Sequence, residues 1–264
     1  MLHAYYSYTQ TAEDYFNKGN AQFNIADYPG AIVEYNKAIE LQPNSAVYYN
    51  RGCCKFKLND DMGAMADFSM AIELNPNYSE AYNNRGLAKL NLKAKLNLKD
   101  DIGAMVDYNK AIQLNPNYTD AYINRGNCKL DLADYMGAIA DFNKVLELDP
   151  KSADGYYNRG RAKYFLADYR GAIADFSKAI ELKPNDAVAY YNRGNSKFNL
   201  TDYVGGISDY NKAIELNPNY ADAYFNSGLA KILLEQMDSG CLDLSKAGEL
   251  GYADAYGMIK KYCN

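Results

Sequence analysis

Six prolines recur along the chain at an almost constant interval, and this period constrains the fold more than any other feature. The prolines are Pro43, Pro76, Pro116, Pro150, Pro184 and Pro218, separated by 33, 40, 34, 34 and 34 residues. A glycine follows each proline nine or ten residues later, at Gly52, Gly86, Gly126, Gly160, Gly194 and Gly228. A repeat of this length indicates an array of one supersecondary unit, in which stacked neighbours bury a continuous core.

Each repeat contains two amphipathic helices. In the block 152–185, the first helix (helix A) has one face formed by Tyr156, Arg159, Gly160 and Lys163, at the spacing of a 3.6-residue period. The second (helix B) has a stripe formed by Ala172, Ile173, Phe176, Ala179 and Ile180. An aspartate stands before helix B as a candidate N-cap in six repeats, at Asp27, Asp60, Asp100, Asp134, Asp168 and Asp202. The proline that follows disfavours helix in the residue before it and predicts where helix B ends.

This pattern resembles the tetratricopeptide repeat (TPR) family over nearly the whole chain. The resemblance lies in the small residue of helix A, the alanine that begins helix B, the aromatic residue four positions later, the next alanine and the closing proline. Tyrosine replaces the family's common tryptophan, at Tyr15, Tyr48, Tyr82, Tyr122, Tyr156, Tyr190 and Tyr224. The resemblance implies an all-α fold, a right-handed α-solenoid of seven stacked TPR helical hairpins with a C-terminal capping helix.

The same pattern predicts the division of the chain. We expect a flexible N-terminal arm over 1–11, a single solenoid over 12–251 and the capping helix over 252–264. The predicted repeats are about 12–45, 46–78, 79–118, 119–152, 153–186, 187–220 and 221–251.

Two repeats depart from the pattern. The third has six extra residues and contains KLNLK twice, at 89–93 and 95–99, which predicts a longer helix A or a longer turn. This insertion is either a neutral protrusion or a docking knob. The seventh has Gly240 and Leu244 where alanine and an aromatic residue are expected, and it has no closing proline. The segment 253–263 then predicts a last helix, which would shield the open end of the solenoid.

Charge and composition exclude several classes of protein. The net charge is −5 and the sequence pI about 5.1, which argues against a nucleic-acid-binding protein. No apolar run is long enough for a membrane span. The first eleven residues have neither the basic start nor the apolar run of a signal peptide, so the expected location is the cytoplasm. The five cysteines are an odd number without metal-ligand spacing, and we interpret them as reduced thiols in a reducing compartment.

The sequence does not predict an enzyme. The only histidine, His3, lies in the N-terminal arm, and neither a glycine-rich phosphate loop nor a Cys/His metal cluster occurs. The carboxylates recur in every repeat at cap and surface positions, which indicates scaffolding. We therefore expect no catalytic residue, no metal and no cofactor.

Cations on helix A predict a ladder of ion pairs. Arginine follows asparagine in five NRG motifs, and it shares the packing face of helix A with a lysine four residues later. Because burial of an unpaired cation is costly, we expect an acidic partner on helix B. The predicted pairs are Arg51–Asp67, Arg85–Asp107, Arg125–Asp141, Arg159–Asp175 and Arg193–Asp209, with the lysine as a competitor for the carboxylate. A cluster of arginines for acidic ligands is the alternative.

The opposite face of helix A has an asparagine in every repeat. These are Asn17, Asn50, Asn84, Asn124, Asn158, Asn192 and Asn226, and aromatic residues that include Tyr49, Tyr157 and Tyr191 lie beside several of them. The resemblance to TPR proteins places this face in a concave groove. A row of amides complements the peptide backbone and could hold an extended chain, as does the similar asparagine ladder of O-GlcNAc transferase. The alternative is a local role, in which each asparagine caps or bridges neighbouring helices.

The functional hypothesis is a non-enzymatic scaffold that binds an extended, neutral-to-basic protein segment in this groove. The carboxylate clamp by which some TPR domains hold acidic chaperone tails is matched only at Asn20 and Asn50, because Phe16, Glu80 and Asn84 occupy its basic positions. The alternative hypothesis is a structural TPR protein that assembles with copies of itself.

Overall fold

The structure, a computed structural model, describes residues 10–96 and 102–263. Fifteen α-helices account for most of these residues. The A helices are α1 (Ala12–Asn24), α3 (Ser45–Lys57), α5 (Ser79–Leu96), α7 (Thr119–Asp131), α9 (Ala153–Phe165), α11 (Ala187–Asn199) and α13 (Ala221–Leu233). The B helices are α2 (Tyr28–Leu41), α4 (Asp61–Leu74), α6 (Ile102–Leu114), α8 (Tyr135–Leu148), α10 (Tyr169–Leu182), α12 (Tyr203–Leu216) and α14 (Met237–Glu249). A last helix, α15 (Asp254–Tyr262), follows them. No strand occurs in these residues, and the predicted all-α fold is confirmed.

The chain divides into two compact units, Met1–Cys128 and Lys129–Asn264. In each unit a helix packs mainly against the helices before and after it in sequence. The single solenoid over 12–251 stays a prediction. Most of the predicted arm, residues 1–9 with His3, lies outside the described residues. Thr11, however, belongs to the folded part, because its hydroxyl accepts a 3.1 Å hydrogen bond from the Asp14 amide and caps α1.

The predicted aspartate caps of helix B are present. In five repeats the Asp Oδ1 accepts a hydrogen bond of 2.9–3.0 Å from the amide of the glycine three residues later, at Asp27, Asp60, Asp134, Asp168 and Asp202. The sixth candidate, Asp100, lies outside the described residues. Before each of the five, a residue with φ near +60° ends the turn from helix A, at Ala26, Asn59, Ala133, Ala167 and Thr201. The interhelical turn therefore has one geometry in these repeats.

The glycine of helix A allows the two helices of a hairpin to approach closely. At Gly194 a Cβ atom would lie 2.7 Å from the ring of Tyr210, which is fully buried against it. The corresponding aromatic residues of helix B form the centre of each hairpin core, at Tyr35, Phe68, Tyr108, Phe142, Phe176 and Tyr210. In the seventh repeat, Leu244 takes this place and is fully buried.

The insertion in the third repeat lengthens helix A, as predicted. Helix α5 has 18 residues, whereas the other A helices have 13. The added length brings Lys95 to the hairpin turn of the preceding repeat, where its ammonium contacts the buried carboxylate of Asp61 and donates a 2.9 Å hydrogen bond to the Asn59 carbonyl. This part of the insertion is therefore a brace between repeats rather than a free protrusion. The second KLNLK copy lies partly outside the described residues.

The predicted last helix is present and is held by a disulfide. Ala255 of α15 is buried in one cluster with Leu244, Phe225 and Ile232. Because α15 folds back on α14, it brings together two cysteines 22 residues apart, and Cys241 and Cys263 form a disulfide. The prediction that all five cysteines are reduced is wrong for this pair. The inference of a reducing compartment loses this support, since disulfides persist mainly in oxidising ones. Cys53 and Cys54 are free thiols.

Candidate asparagine face and its supporting ion pairs

The predicted ion pairs link helices A and B of the same hairpin. The distance between Arg Nη2 and Asp Oδ1 is 2.6–2.7 Å in Arg51–Asp67, Arg85–Asp107, Arg159–Asp175 and Arg193–Asp209. In each pair the Arg Nε also donates to Oδ2, at 2.9–3.0 Å, so the contact is bidentate. These four pairs are confirmed. The fifth, Arg125–Asp141, has its members in different units and stays a prediction.

The lysine four residues later shares the carboxylate and does not displace the arginine. Lys163 Nζ lies 2.7 Å from Asp175 Oδ2, and similar contacts of 2.7–2.8 Å occur at Lys55, Lys89 and Lys197. The aspartates are almost fully buried. Their hydrogen bonds raise the pKa of the Arg85, Arg159 and Arg193 guanidinium groups above the ordinary value. The arginines therefore serve the hairpin core, and the four pairs leave them unavailable as a cluster for an acidic ligand.

A second contact of each arginine was not predicted. The remaining guanidinium nitrogen, Nη1, donates to a side-chain oxygen on helix B of the preceding repeat, at a distance of 2.7–3.2 Å. The acceptors are Asn36, Ser69, Asn109, Asn143 and Ser177. The signal in the sequence is an asparagine or serine immediately after the aromatic residue of helix B, in every one of these repeats. Each arginine thus joins two successive hairpins.

The asparagines on the opposite side of helix A, which we call the asparagine face, form bonds between repeats. Asn84 Nδ2 donates to Tyr49 Oη at 3.0 Å, and Asn192 Nδ2 donates to Tyr157 Oη at 2.9 Å. Asn226 Nδ2 donates to both Tyr191 Oη and the Asn195 amide oxygen. Asn50 donates to the amide oxygen of Asn20, and Asn124 donates to that of Asn83. The bridging role, one of the two predicted alternatives, is therefore present at five asparagines. Asn158 is buried and accepts a 3.3 Å bond from Arg161, and Asn17 is exposed.

The amide oxygens on this face are less occupied than the nitrogens. Among the described residues, none donates to the amide oxygens of Asn50, Asn124, Asn192 or Asn226, and none of these oxygens is buried. Because each Nδ2 is held by the preceding repeat, the side-chain orientation is determined in advance. The face therefore presents fixed hydrogen-bond acceptors in each unit, at Asn50 and Asn124 in the first and at Asn192 and Asn226 in the second.

Tyrosine rings line the face beside these amides. Tyr49 packs on Tyr78 and Tyr191 packs on Tyr220, with 4.8 Å between ring centroids in both pairs. Burial raises the pKa of Tyr157 and Tyr191 above the ordinary value and that of Tyr78 to about 12. Tyr78 and Tyr220 were not predicted as site residues. Their signal is the motif NPNY. Its tyrosine stands at the N-cap position of the following helix A and packs on the aromatic residue of the helix A before it.

Comparison with protein families agrees with this arrangement. Models described as tetratricopeptide repeat match residues 12–45, 45–78, 119–152 and 187–220, and a model described as TPR repeat matches residues 167–200. Together these segments cover more than half of the chain. The chain is a tetratricopeptide repeat protein.

Several solved structures are similar to this one. A TPR protein from Parabacteroides merdae ATCC 43184 is 22% identical over 96% of this chain and 99% of its own, with a TM-score of 0.66, and shows the shared fold. YrrB, described as a TPR protein with an unusual peptide-binding site, is 26% identical over 73% of this chain and 97% of its own, with a TM-score of 0.60. MamA is 28% identical over 63% of this chain and 96% of its own, with a TM-score of 0.57. Curated protein sequences yielded no match.

The described residues of the TPR protein contain neither a candidate membrane span nor a candidate metal site. No helix there combines the length and hydrophobicity that crossing a membrane requires. In the same residues, no group of three or more histidine, cysteine, aspartate or glutamate side chains is arranged to hold a metal ion.

Proposed function

We propose that this TPR protein is a non-enzymatic scaffold that binds an extended protein segment along the asparagine face of one or both units. The observation that carries the proposal is the row of accessible amide oxygens, oriented by their bonds to the preceding repeat and flanked by tyrosine rings. The similarity to YrrB, whose description names a peptide-binding site, supports the same kind of ligand.

The nitrogen and the oxygen of each side-chain amide have complementary roles. The nitrogen holds adjacent repeats in register, whereas the oxygen accepts a hydrogen bond from a backbone N–H of the bound segment. The tyrosine rings contribute apolar contact area. Each hydrogen bond contributes only about 0.5–1.5 kcal/mol net, so useful affinity requires several repeats together.

The experiment must separate two roles of the asparagines, which are peptide binding and hydrogen bonding between repeats. Peptides selected from a random 12-residue display library would be titrated against two triple variants by fluorescence anisotropy, with thermal melts in parallel. Asn84→Ala, Asn192→Ala and Asn226→Ala remove the bonds between repeats together with the accessible oxygens of Asn192 and Asn226. The Asn84 oxygen already accepts a bond from Asn83. Tyr49→Phe, Tyr157→Phe and Tyr191→Phe remove the tyrosine acceptor of the same three asparagines and leave the amides in place. Asn226 keeps its bond to the Asn195 amide oxygen.

We expect the asparagine variant to bind at least about tenfold more weakly than the phenylalanine variant, because only the former loses acceptors for the peptide. Equal affinities for the two variants, or a library that yields no binder, would contradict the proposal. Self-assembly is the competing function. A mass from light scattering that rises with protein concentration, without peptide, would favour it.

A further inference from the structure

One position breaks the row of side chains that flanks the asparagines. The residue immediately before each of these asparagines is aromatic or aliphatic in every repeat but the third. The seven residues are Phe16, Tyr49, Asn83, Ile123, Tyr157, Tyr191 and Phe225. A cavity of about 360 Å³ lies beside Asn83 in the first unit. Tyr49 and Tyr118 line this cavity, which we call the Asn83 pocket, together with Leu87 and Asp120.

The Asn83 pocket combines aromatic rings with negative charge. Asp120 lies in its lining, and Glu80 is close enough to act on the ring hydroxyls of both Tyr78 and Tyr118. The pKa of Tyr118 is raised to about 12, mainly by burial of the ring and additionally by the negative charge of these carboxylates. Among the described residues that line the pocket there is no lysine or arginine. A cation is attracted both by the face of a tyrosine ring and by a nearby carboxylate.

The second unit contains the corresponding interaction with a cation of its own. Arg161 lies over the ring of Tyr157, with 6.0 Å between its Cζ atom and the ring centroid, and Asp186 is within electrostatic reach of the same ring. Tyr49 is the counterpart of Tyr157 in the second repeat. There the position of Arg161 is occupied by Cys53, which is too short and uncharged to fill this role.

We propose that the Asn83 pocket receives a cationic side chain, arginine or lysine, from the bound segment. The inference rests on the proposed function, since it assigns one side chain of that segment to one repeat. An acidic side chain would be repelled by Asp120 and Glu80. A neutral side chain would be attracted as a cation is neither by the tyrosine rings nor by the carboxylates. The pocket therefore selects a positive charge at a defined place along an otherwise weakly selective face.

The site can be tested without knowing the partner. The probe is Nα-acetyl-arginine amide, and its control is Nα-acetyl-citrulline amide, which has nearly the same shape without the charge. Both would be titrated into the ¹³C-tyrosine-labelled protein and followed by NMR. We expect the ring signals of Tyr49 and Tyr118 to shift with the arginine probe, and the citrulline probe to bind about tenfold more weakly. Raised salt should weaken the arginine probe alone.

Two variants localise the effect. Asn83→Tyr restores the ring that other repeats have at this position, together with a hydroxyl acceptor for Asn124 like the one that Tyr49 offers to Asn84. It should fold, close the pocket and abolish arginine binding. Glu80→Gln with Asp120→Asn should weaken binding about fivefold. Asp154→Asn with Asp222→Asn is the matched control, because it makes the same change in net charge at the equivalent positions of the second unit and should leave binding unchanged.

Equal affinity for the arginine and citrulline probes, or an Asn83→Tyr variant that folds and still binds arginine, would overturn the inference. These results differ from a failure of the proposed function. If library peptides bind the asparagine face without any preference for a positive charge, the inference fails and the proposed function stands. If the arginine probe binds the pocket but no peptide is selected, the pocket recognises a cation but the proposed function fails, and with it the assignment of that cation to a bound segment.

Discussion

Arg159 and Asp175 form a bidentate ion pair, with 2.6 Å between Nη2 and Oδ1 and 2.9 Å between Nε and Oδ2. The third guanidinium nitrogen donates a 2.7 Å bond to Asn143 on helix B of the preceding repeat. One side chain therefore holds together the two helices of its own hairpin and sets the register of that hairpin on the preceding one. The same arrangement recurs at Arg51, Arg85 and Arg193.

Removal of the charge of Asp175 should be strongly destabilising. In the Asp175→Asn variant, Arg159 and Lys163 lose their common counterion in a largely buried environment, and we expect the free energy of unfolding to fall by about 3 kcal/mol. Denaturant titration would measure the change. The matched control is Glu181→Gln on the same helix, which breaks the exposed pair of Lys178 with Glu181 and should cost less than about 0.5 kcal/mol. Equal losses in the two variants would contradict this role for the buried pair.

The bond between Asn192 and Tyr157 should couple two repeats energetically. Asn192→Ala and Tyr157→Phe each remove the 2.9 Å hydrogen bond, and each should lower the free energy of unfolding by about 1 kcal/mol. The double variant should lose less than the sum of the two, since the bond can be removed only once. A double-mutant cycle measured by denaturant titration gives the coupling. Strict additivity would show that the bond contributes nothing in solution.

Thr201 should be a site of stored backbone strain. Its φ is +62°, a conformation that is unfavourable for a β-branched residue, whereas Asn59 has the same φ of +62° at the equivalent turn. We expect Thr201→Asn to stabilise the protein by about 1 kcal/mol and Asn59→Thr to destabilise it by a similar amount. Thermal melts of the two reciprocal variants check the prediction. Shifts of the same sign would rule out a backbone origin.

The disulfide should stabilise the last helix locally. A bond between Cys241 and Cys263 closes a loop of 22 residues, for which the expected stabilisation is about 3 kcal/mol. Reduction should therefore accelerate hydrogen exchange in α15 and leave the first unit unchanged, because repeats interact mainly with their neighbours. The Cys263→Ser variant should exchange quickly with or without reductant. Slow exchange in α15 of that variant would mean that packing alone holds the helix.

Buried tyrosines should make the fold sensitive to alkaline pH. Burial raises the pKa of Tyr78 and Tyr118 to about 12, whereas a phenol in the unfolded chain ionises near 10. The folded state retains the protons, so this contribution to stability is complete below about pH 10 and is lost as the pH rises toward 12. Absorbance at 295 nm should rise in two stages, the second together with loss of helical circular dichroism. In urea a single stage near pH 10 is expected. A single stage near pH 10 in the native protein would contradict the raised pKa values.

Much of the fold could be predicted because its signals lie within one repeat. The proline period, the aspartate before helix B and the glycine opposite an aromatic residue each act over the length of about one repeat. The ion pairs of Arg51, Arg85, Arg159 and Arg193 follow from two faces of one hairpin. Helical periodicity determines which side chains share a face, so the acidic partners on helix B could be identified by residue.

Contacts between repeats were decided by the tertiary structure. The sequence places Asn84 and Asn192 on a common face, but whether an amide points to solvent or to the preceding repeat depends on how far one hairpin is displaced along the next. Contacts between elements distant in sequence likewise place Tyr118 beside the Asn83 pocket, Lys95 against Asp61 and Cys263 against Cys241. The sequence by itself determined the helices, their caps and the pairing within each hairpin, since these depend on local periodicity. The offset between hairpins is the sum of many small packing contacts, and only the folded structure decided it.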